Sequence, residues 1–228
     1  MSYAKEAMVN LTPEPESRQP ENPHREYLKQ RNLEGISKVM SGEITAGQLA
    51  DQITDRELEL EARADHDGLT GLLNFQGFSD TLTANLNIIQ QHNISAYLVF
   101  LDIDQLKEFN DTKGKLSGNL LIRTYADVIR TKTDSLTHLT SLVGRFGGDE
   151  FVICVIGAGK DDLRLLTEDI KISIPQAVKK AFNDPSLEKT ISMGVTQVRP
   201  DDNADILLDR ADQQLMRAKE RRNHIVIE

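Results

Sequence analysis

The stretch SLVGRFGGDEFVICVI, residues 141–156, decides the fold that the sequence predicts. Two apolar runs flank the tripeptide Gly147-Gly148-Asp149, and strands separated by so short a glycine-containing segment indicate a β-hairpin. Its turn carries two adjacent acids, Asp149 and Glu150, which repel each other unless a positive charge neutralises them. A tight turn alone would also explain Gly-Gly-Asp, so the hairpin by itself does not define a function.

A second acidic tip follows a strongly apolar run. Residues 96–102 read AYLVFLD, which is typical of a buried strand, and Asp102 and Asp104 lie at its end. A carboxylate on a rigid strand is well placed to hold a metal ion, although a polar strand end or a helix cap would also explain these acids. If the hairpin lies beside this strand, both acidic tips meet. A hard cation such as Mg²⁺ would then find oxygen ligands from two directions and keep positions open for phosphate oxygens.

Helical and strand patterns alternate on both sides of these tips. Apolar periodicity predicts helices over residues 74–91, 118–131, 161–182 and 204–221, and strands over residues 96–102, 141–146, 150–156, 190–198 and 224–227. Residues 102–120 are expected to form a loop, and Leu120 and Val128 to point inward from the helix that follows. Pro175 is expected to kink or interrupt the third helix. This order predicts an α/β (α+β sandwich) fold in which helices cover a mixed β-sheet.

The N-terminal part differs in composition from the rest of the chain. Residues 1–26 are polar and contain four of the seven prolines, which predicts a disordered tail. Residues 27–64 predict a helical extension of two helices, interrupted at Ser41-Gly42. The folded domain is expected to cover residues 65–228.

The second helix of this extension begins at Thr45, which is a suitable N-cap residue. Leu49, Ile53 and Leu60 fall on one stripe of the helix, but Arg56 occupies the matching position between them. The stripe is therefore a weak coiled-coil seam. Two interpretations stay open: the extension pairs two chains or contacts a protein partner, or it packs on its own domain.

The composition excludes several classes of protein. The net charge of −9 argues against a nucleic-acid surface, which needs clustered positive charge. The five histidines are scattered, so no zinc site is expected, and the single Cys154 excludes an intrachain disulfide. No segment approaches the roughly 18 apolar residues that a membrane helix needs, and the N-terminus lacks the apolar core of a secretory signal. We therefore expect a cytoplasmic protein with no membrane partner.

Five segments together resemble the GGDEF diguanylate cyclase family, in the order and spacing of that family. They are DGLTGLLNFQGF (residues 67–78), DIDQLKEFNDTKG (102–114), RFGGDEF (145–151), ISMGV (191–195) and DRADQQLMRAK (209–219). The resemblance implies a sheet core related to class III adenylyl cyclases and DNA polymerase palms. It implies the condensation of two GTP molecules into cyclic di-GMP and pyrophosphate with Mg²⁺, or Mn²⁺ as the alternative. It also implies a homodimer, in which each protomer holds one GTP and each 3′-hydroxyl attacks the α-phosphate of the other.

The same resemblance implies roles for individual residues. The implied metal ligands are Asp102, Asp149 and the carbonyl of Ile103. The implied catalytic residues are Asp149, Glu150 and Lys107. The implied substrate-binding residues are Asn110 and Asn119 for the base, Gly147 and Gly148 beside the nucleotide, and Lys219 and Arg222 for phosphates, to which Lys107 also contributes.

The sequence departs from the family pattern at the base site and in the closing helix. Leu106, Lys115 and Asn119 stand where the family usually has phenylalanine, histidine and aspartate. The aspartate accepts hydrogen bonds from guanine, whereas an asparagine offers one acceptor and one donor. The closing helix is one residue shorter than the family's AKxxGRN pattern and lacks its glycine, so Arg221 and Arg222 are both candidates for its phosphate-binding arginine.

The family's inhibitory product site is also expected to be absent. That site commonly has an RxxD pair upstream of the first motif glycine, and the corresponding positions here hold His138 and Ser141. Two functions therefore stay open. One is an active diguanylate cyclase, and the other is a degenerate GGDEF domain that binds a nucleotide and signals through a protein partner with weak or no catalysis.

Overall fold

The computed structural model describes residues 37, 38, 40–43, 45–49, 51, 52 and 64–228. Residue contacts divide the chain into two units, 1–59 and 60–228. The predicted tail, most of the predicted helical extension, and the stripe positions Ile53 and Leu60 lie outside the described residues. None of the helices in the part that is described is long and apolar enough to span a membrane.

In the first unit, the predicted N-cap at Thr45 is confirmed. The amide of Gln48 donates to Thr45 Oγ1 at 3.2 Å, and the amide of Thr45 donates to Gln48 Oε1 at 2.8 Å. This reciprocal pair satisfies N–H groups that the start of a helix leaves without intrahelical partners.

From residue 64 onward, the chain alternates between helices and strands. In chain order the elements are α1 (Phe75–Gln91), β1 (Ala96–Ile103), α2 (Leu106–Lys113), α3 (Lys115–Asp134), β2 (Thr140–Arg145), β3 (Glu150–Ile156), α4 (Lys160–Phe182), β4 (Ile191–Gln197), α5 (Ala204–Lys219) and β5 (Ile225–Ile227). Apart from α2 and the start of α3, the predicted elements agree with these bounds to within two or three residues at each end.

The strands form one mixed sheet in the order β2-β3-β1-β4-β5. β1 runs antiparallel to both of its neighbours, β3 and β4, whereas β4 and β5 are parallel. Every residue of β1 is buried, as expected of a central strand covered on both faces. The predicted fold class is therefore confirmed.

Alternate residues of β1 face two different helix layers. Leu101 lies in the cluster that α3 and α4 complete, where Ile170 is fully buried. Phe100 lies in the opposite cluster, together with Leu82 of α1 and Leu215 of α5. Burying one such side chain contributes about 1.5–3 kcal/mol, so both layers hold the end of β1 in a defined position.

The helix α5 approaches β4 closely because Gly194 has no side chain. A Cβ atom at Gly194 would lie 2.1 Å from the amide nitrogen of Leu215 and 2.5 Å from the carbonyl oxygen of Ala211. Both are backbone atoms of α5, so any larger residue would push the helix away from the sheet. Gly194 thus sets the position of α5, and with it that of Lys219 at the end of the helix.

The expectation of a loop over residues 102–120 is wrong. This segment contains α2 and the first turn of α3, and Leu120 is 41% exposed instead of inward. α2 carries only two buried apolar side chains, Leu106 and Phe109, so it has no long apolar stripe that a sequence pattern could reveal. Tertiary packing of those two side chains, and not helical periodicity, stabilises it.

The expected interruption at Pro175 is also wrong. α4 continues through this residue from Lys160 to Phe182. Pro175 cannot donate a backbone hydrogen bond, but Ile174 and Val178 beside it are fully buried in the core. Their burial outweighs the lost bond and keeps the helix continuous.

Candidate active site

The two acidic tips lie side by side at one edge of the sheet. β3 pairs with β1 so that Glu150 stands opposite Asp102. The amide of Ile103 donates to the carbonyl of Asp149 at 3.1 Å, which extends the pairing beyond the strands. The hairpin therefore lies beside the Asp102 strand, which is the arrangement under which the two acidic tips are expected to meet, and three carboxylates share this edge.

Asp102 is the most enclosed of these three carboxylates, with 5% of its surface exposed. Lys219, at the end of α5, places Nζ 2.7 Å from Asp102 Oδ2. Even with this ion pair, burial and the negative charges of Asp149 and Glu150 raise the pKa of Asp102 to about 6. The edge thus holds more negative charge than Lys219 alone can neutralise.

The same burial and the same neighbouring charges also shift the pKa values of Glu150 and Lys219. Burial and the acids Asp149 and Asp212 raise the pKa of Glu150, although Lys219 lies close. Burial works against the charge on Lys219, but the hydrogen bond to Asp102 and the nearby acids raise the pKa of that lysine overall. Carboxylates with raised pKa values beside a lysine whose pKa is also raised mark this edge as a candidate functional site.

Arg145 holds the turn of the hairpin in place. Its Nη1 atom lies 3.0 Å and 3.1 Å from the two carboxylate oxygens of Asp67, and its Nη2 atom donates to the carbonyl of Gly148 at 2.8 Å. A Cβ atom at Gly147 would lie 2.9 Å from Glu150 Oε2, whereas one at Gly148 would meet nothing within 4 Å. The backbone of the turn therefore lies close to the Glu150 side chain at Gly147, and it has free space beside it at Gly148.

The start of α2 offers backbone donors close to this edge. Its N-cap residue, Gln105, has a left-handed backbone with φ of 60°, and no side chain caps the helix. The N–H groups of an uncapped helix start carry partial positive charge and bind phosphate groups well. Lys107 is exposed on the same turn.

Two further cations lie near the start of α2. Lys189 Nζ donates to the carbonyl of Gln105 at 3.0 Å and approaches that of Asp104 at 3.4 Å. Burial lowers the pKa of Lys189, and the charge of Arg222 contributes to that lowering, so the two side chains are close. Arg222 itself is exposed in the turn between α5 and β5.

The two amides that are predicted to contact the base lie on adjacent helices. Asn110 Oδ1 is buried, and none of the described residues donates a hydrogen bond to it. It packs against Gly118, where a Cβ atom would lie only 1.7 Å away. Asn119 follows Gly118 directly and is exposed.

The oxygen groups at this edge suit a hard divalent cation. The candidate donors are the carboxylates of Asp102 and Asp149 and the carbonyl of Ile103, and Mg²⁺ prefers such ligands. Among the residues that the structure describes, no group of three or more His, Cys, Asp or Glu side chains is arranged to hold a metal ion. A cation here would thus take its remaining ligands from phosphate oxygens and water, as the sequence pattern predicts.

Two carboxylates beside the site have partners that sequence reasoning did not identify, although Asp104 is grouped there with Asp102 at the acidic end of the strand. Asp67 binds Arg145, and Asp104 accepts hydrogen bonds from Thr190, Ser192 and the Asn223 amide. Asp67 lies in the first of the five motifs and Asp104 directly follows Ile103, but nothing in the sequence identifies their distant partners.

The fold and the site together define an α+β sandwich in which one edge of the sheet brings three carboxylates close to a lysine.

Comparison with known proteins assigns this architecture to a family. A family model described as "Diguanylate cyclase, GGDEF domain" matches residues 64–224, and the chain therefore belongs to the GGDEF domain family. An uncharacterized signaling protein of Caulobacter vibrioides is 30% identical over 194 residues, which are 83% of this chain and 23% of that protein. Diguanylate cyclase DgcP of Pseudomonas aeruginosa is 28% identical over 200 residues, which are 83% of this chain and 29% of that protein. The chain thus spans about a quarter of the length of these relatives.

A solved structure has the same fold. The coiled coil and GGDEF domain of DgcB from Caulobacter crescentus, in complex with c-di-GMP, matches with a TM-score of 0.73 and 22% identity. The match covers 84% of this chain and 100% of that one. At this level of identity the likeness supports the fold, and the family resemblance seen in the five motifs is confirmed by the family model.

Proposed function

We propose that this protein is a diguanylate cyclase, which condenses two GTP molecules into cyclic di-GMP and pyrophosphate with Mg²⁺, or with Mn²⁺ as the alternative. One observation carries the proposal. The buried carboxylate of Asp102 lies beside Asp149 and Glu150, its pKa is raised to about 6, and Lys219 is its cationic partner at 2.7 Å. Such an edge suits a metal ion together with the charged phosphates of a nucleotide.

In this proposal, Asp102, Asp149 and the Ile103 carbonyl hold the cation. When bound, the cation neutralises phosphate charge and polarises the phosphoryl oxygens. Glu150, whose pKa is raised by burial, would accept the proton of the attacking 3′-hydroxyl, while pyrophosphate leaves.

The cationic groups around the edge would bind the triphosphate. Lys107, the uncapped start of α2, Lys219 and Arg222 are the proposed phosphate contacts. Gly148 has open space beside it, so a nucleotide can lie against the hairpin. Asn110 and Asn119 are the proposed contacts of guanine.

The reaction requires two copies of this site. Each would hold one GTP, and two protomers would face each other so that each 3′-hydroxyl reaches the α-phosphate of the other nucleotide. We propose the helical extension over residues 27–64 as the segment that pairs the protomers or contacts a protein partner.

The direct test is to incubate the purified protein with GTP and Mg²⁺ and to look for cyclic di-GMP by mass spectrometry. Asp102→Asn and Asp149→Asn should each abolish the product, because both carboxylates would hold the cation that offsets the phosphate charge. Asp201→Asn, an exposed acid in the turn before α5, serves as the matched control and should keep wild-type activity. Near wild-type activity in either site variant would overturn the assignment.

A nucleotide-binding domain with weak or no catalysis is the second candidate. It is favoured by Asn119, which replaces an acid at the base site, and by the end of α5 at Lys219, which leaves Arg222 in an exposed turn. Tight binding of GTP without any cyclic di-GMP would favour this candidate. A known cyclase, assayed in parallel under the same conditions, must form cyclic di-GMP.

A further inference from the structure

The carboxylate of Asp104 joins three segments of the chain. It is 4% exposed and follows β1 directly. Thr190 Oγ1 donates to Oδ2 at 2.6 Å and Ser192 Oγ donates to Oδ1 at 2.8 Å, both from the start of β4. The amide of Asn223, in the turn before β5, donates to Oδ2 at 2.9 Å.

These three hydrogen bonds separate the role of Asp104 from that of Asp102. A carboxylate has about four lone-pair positions, and three of those on Asp104 accept from the protein itself. Asp102, in contrast, has Lys219 as its partner and faces the other acids of the edge. Asp104 is therefore a structural acceptor, although it lies in the same acidic motif.

The turn that Asp104 holds is unusual in its backbone. Arg222 and Asn223 both have left-handed conformations, with φ of 50° and 46°. Side chains other than glycine disfavour this conformation, so consecutive examples persist only where the surroundings hold them. The bond from the Asn223 amide to Asp104 holds one side of this turn. On the other side, β5 pairs with β4.

The same turn carries Arg222 and follows Lys219, which are two of the proposed phosphate contacts. Arg222 precedes Asn223 directly, and Lys219, the last residue of α5, lies four residues before Asn223. On the other side of Asp104, the chain enters α2, whose first turn is uncapped. The Asp104 carboxylate thus stands between the two groups of phosphate-binding candidates.

We infer that Asp104 is a positioning residue for nucleotide binding: through the Asn223 amide it sets the place of Arg222 against the start of α2. This inference rests on the proposed function, since it concerns how that site holds a triphosphate. In this inference Asp104, the second acid of the segment DIDQLKEFNDTKG, positions a phosphate-binding side chain and does not bind the metal ion.

The test is a double-mutant cycle on nucleotide affinity. Asp104→Asn places a donor group among three donors, so it loses at least one hydrogen bond to the charged carboxylate. We expect the affinity for a non-hydrolysable GTP analogue with Mg²⁺, measured by calorimetry, to fall about tenfold. In an Arg222→Ala background the same substitution should lower affinity less than about twofold, because the group that Asp104 positions is already gone.

If Asp104 only stabilises the fold, Asp104→Asn should lower nucleotide affinity by the same factor with and without Arg222. If Asp104→Asn lowers affinity by the same factor in both backgrounds, or leaves the wild-type affinity unchanged, the inference is wrong. Asp202→Asn is the matched control, because Asp202 is a buried carboxylate that accepts from the Arg199 amide at 2.7 Å and from Arg210 at 2.6 Å, beyond the other end of β4. It should lower the melting temperature but leave the affinity for the analogue unchanged.

A milder variant covers the case in which Asp104→Asn does not fold. Thr190→Val removes one donor to Asp104 and keeps the shape of the side chain. It should lower affinity by about twofold to fivefold, again only when Arg222 is present. A wild-type protein that binds neither GTP nor its analogue would overturn the proposed function and this inference together. A wild type that binds GTP, with effects that simply multiply in the cycle, would overturn the inference alone.

Discussion

Arg145 and Asp67, which are 78 positions apart in the sequence, form a nearly symmetrical contact in which Arg145 Nη1 lies 3.0 Å and 3.1 Å from the two oxygens of Asp67. Only 12% of the Arg145 side chain and 23% of the Asp67 side chain are exposed. The same guanidinium also donates to the carbonyl of Gly148. A segment that precedes α1 thereby fixes the hairpin turn beside the acidic edge.

Asp67→Asn should therefore destabilise the fold and loosen the hairpin. Burial opposes ionisation of Asp67, but hydrogen bonds from Thr70 and Arg145 lower its pKa below the ordinary 3.8. A lowered pKa in the folded state means that the stabilisation is present above pH 3.8 and is lost as the pH falls through the folded value. We expect a loss of about 1–3 kcal/mol at pH 7 that shrinks below pH 4, measured by urea unfolding. Asp127→Asn, which breaks an exposed pair with Arg130, should change stability by less than about 0.5 kcal/mol.

Asp102→Asn should have the opposite effect on stability. The pKa of Asp102 is raised in the folded state to about 6, so the folded protein binds a proton more tightly than the unfolded chain. Stability then falls as the pH rises from about 4 to about 6, and the ionised carboxylate remains costly above that range. We expect the variant to be more stable than the wild type by about 1–3 kcal/mol at pH 8 without metal. This gain should disappear near pH 4, and an equal or lower melting temperature at pH 8 would contradict a raised pKa for this carboxylate.

Gly118→Ala should weaken binding of the base. The new Cβ atom would lie 1.7 Å from Asn110 Oδ1, so the Asn110 side chain must move. Since Asn110 is a proposed contact of guanine, affinity for GTP should fall about tenfold or more. Gly68→Ala is the matched control for adding a methyl group, because a Cβ atom there meets nothing within 4 Å and Gly68 has no proposed contact with the nucleotide. Equal effects of the two substitutions on the GTP/ATP affinity ratio would argue against a base contact at Asn110.

Asn119→Asp should tighten binding of GTP relative to ATP. Guanine presents two neighbouring donors, and an aspartate accepts from both, whereas an asparagine offers one acceptor and one donor. An unpaired group of this kind costs about 1–3 kcal/mol, which is roughly tenfold or more in affinity. The exposed position of Asn119 on α3 allows this side chain to turn toward a ligand or toward water. An unchanged GTP/ATP ratio would show that Asn119 does not contact the base.

The rate of product formation per protein should rise with protein concentration if the chain is monomeric when dilute. The proposed reaction needs two nucleotide-loaded sites face to face, so the pairing of protomers limits the rate at low concentration. Specific activity between nanomolar and micromolar protein, compared with the oligomeric state from sedimentation, checks this. A flat specific activity in a proven monomer would rule out the two-site scheme.

The sequence by itself determined the sheet and the acidic edge. The bounds of β3 agree with the predicted strand at both ends, because a continuous apolar run and the flanking Gly-Gly-Asp are local signals. The meeting of Asp102 with Glu150 is expected from the sequence only if that hairpin lies beside the Asp102 strand, and the sheet order supplies this placement. The five motifs indicated the family, since their order and spacing can be read directly from the sequence.

Only the tertiary structure decided how the edge is supported. Asp104 finds its partners 86, 88 and 119 positions away, and Lys219 reaches Asp102 because Gly194 lets α5 approach β4. α2 forms because Leu106 and Phe109 are buried by other elements, not because its own sequence is strongly helical. A hydrogen bond or a close contact between distant segments depends on where the whole chain places them, so no local pattern records it.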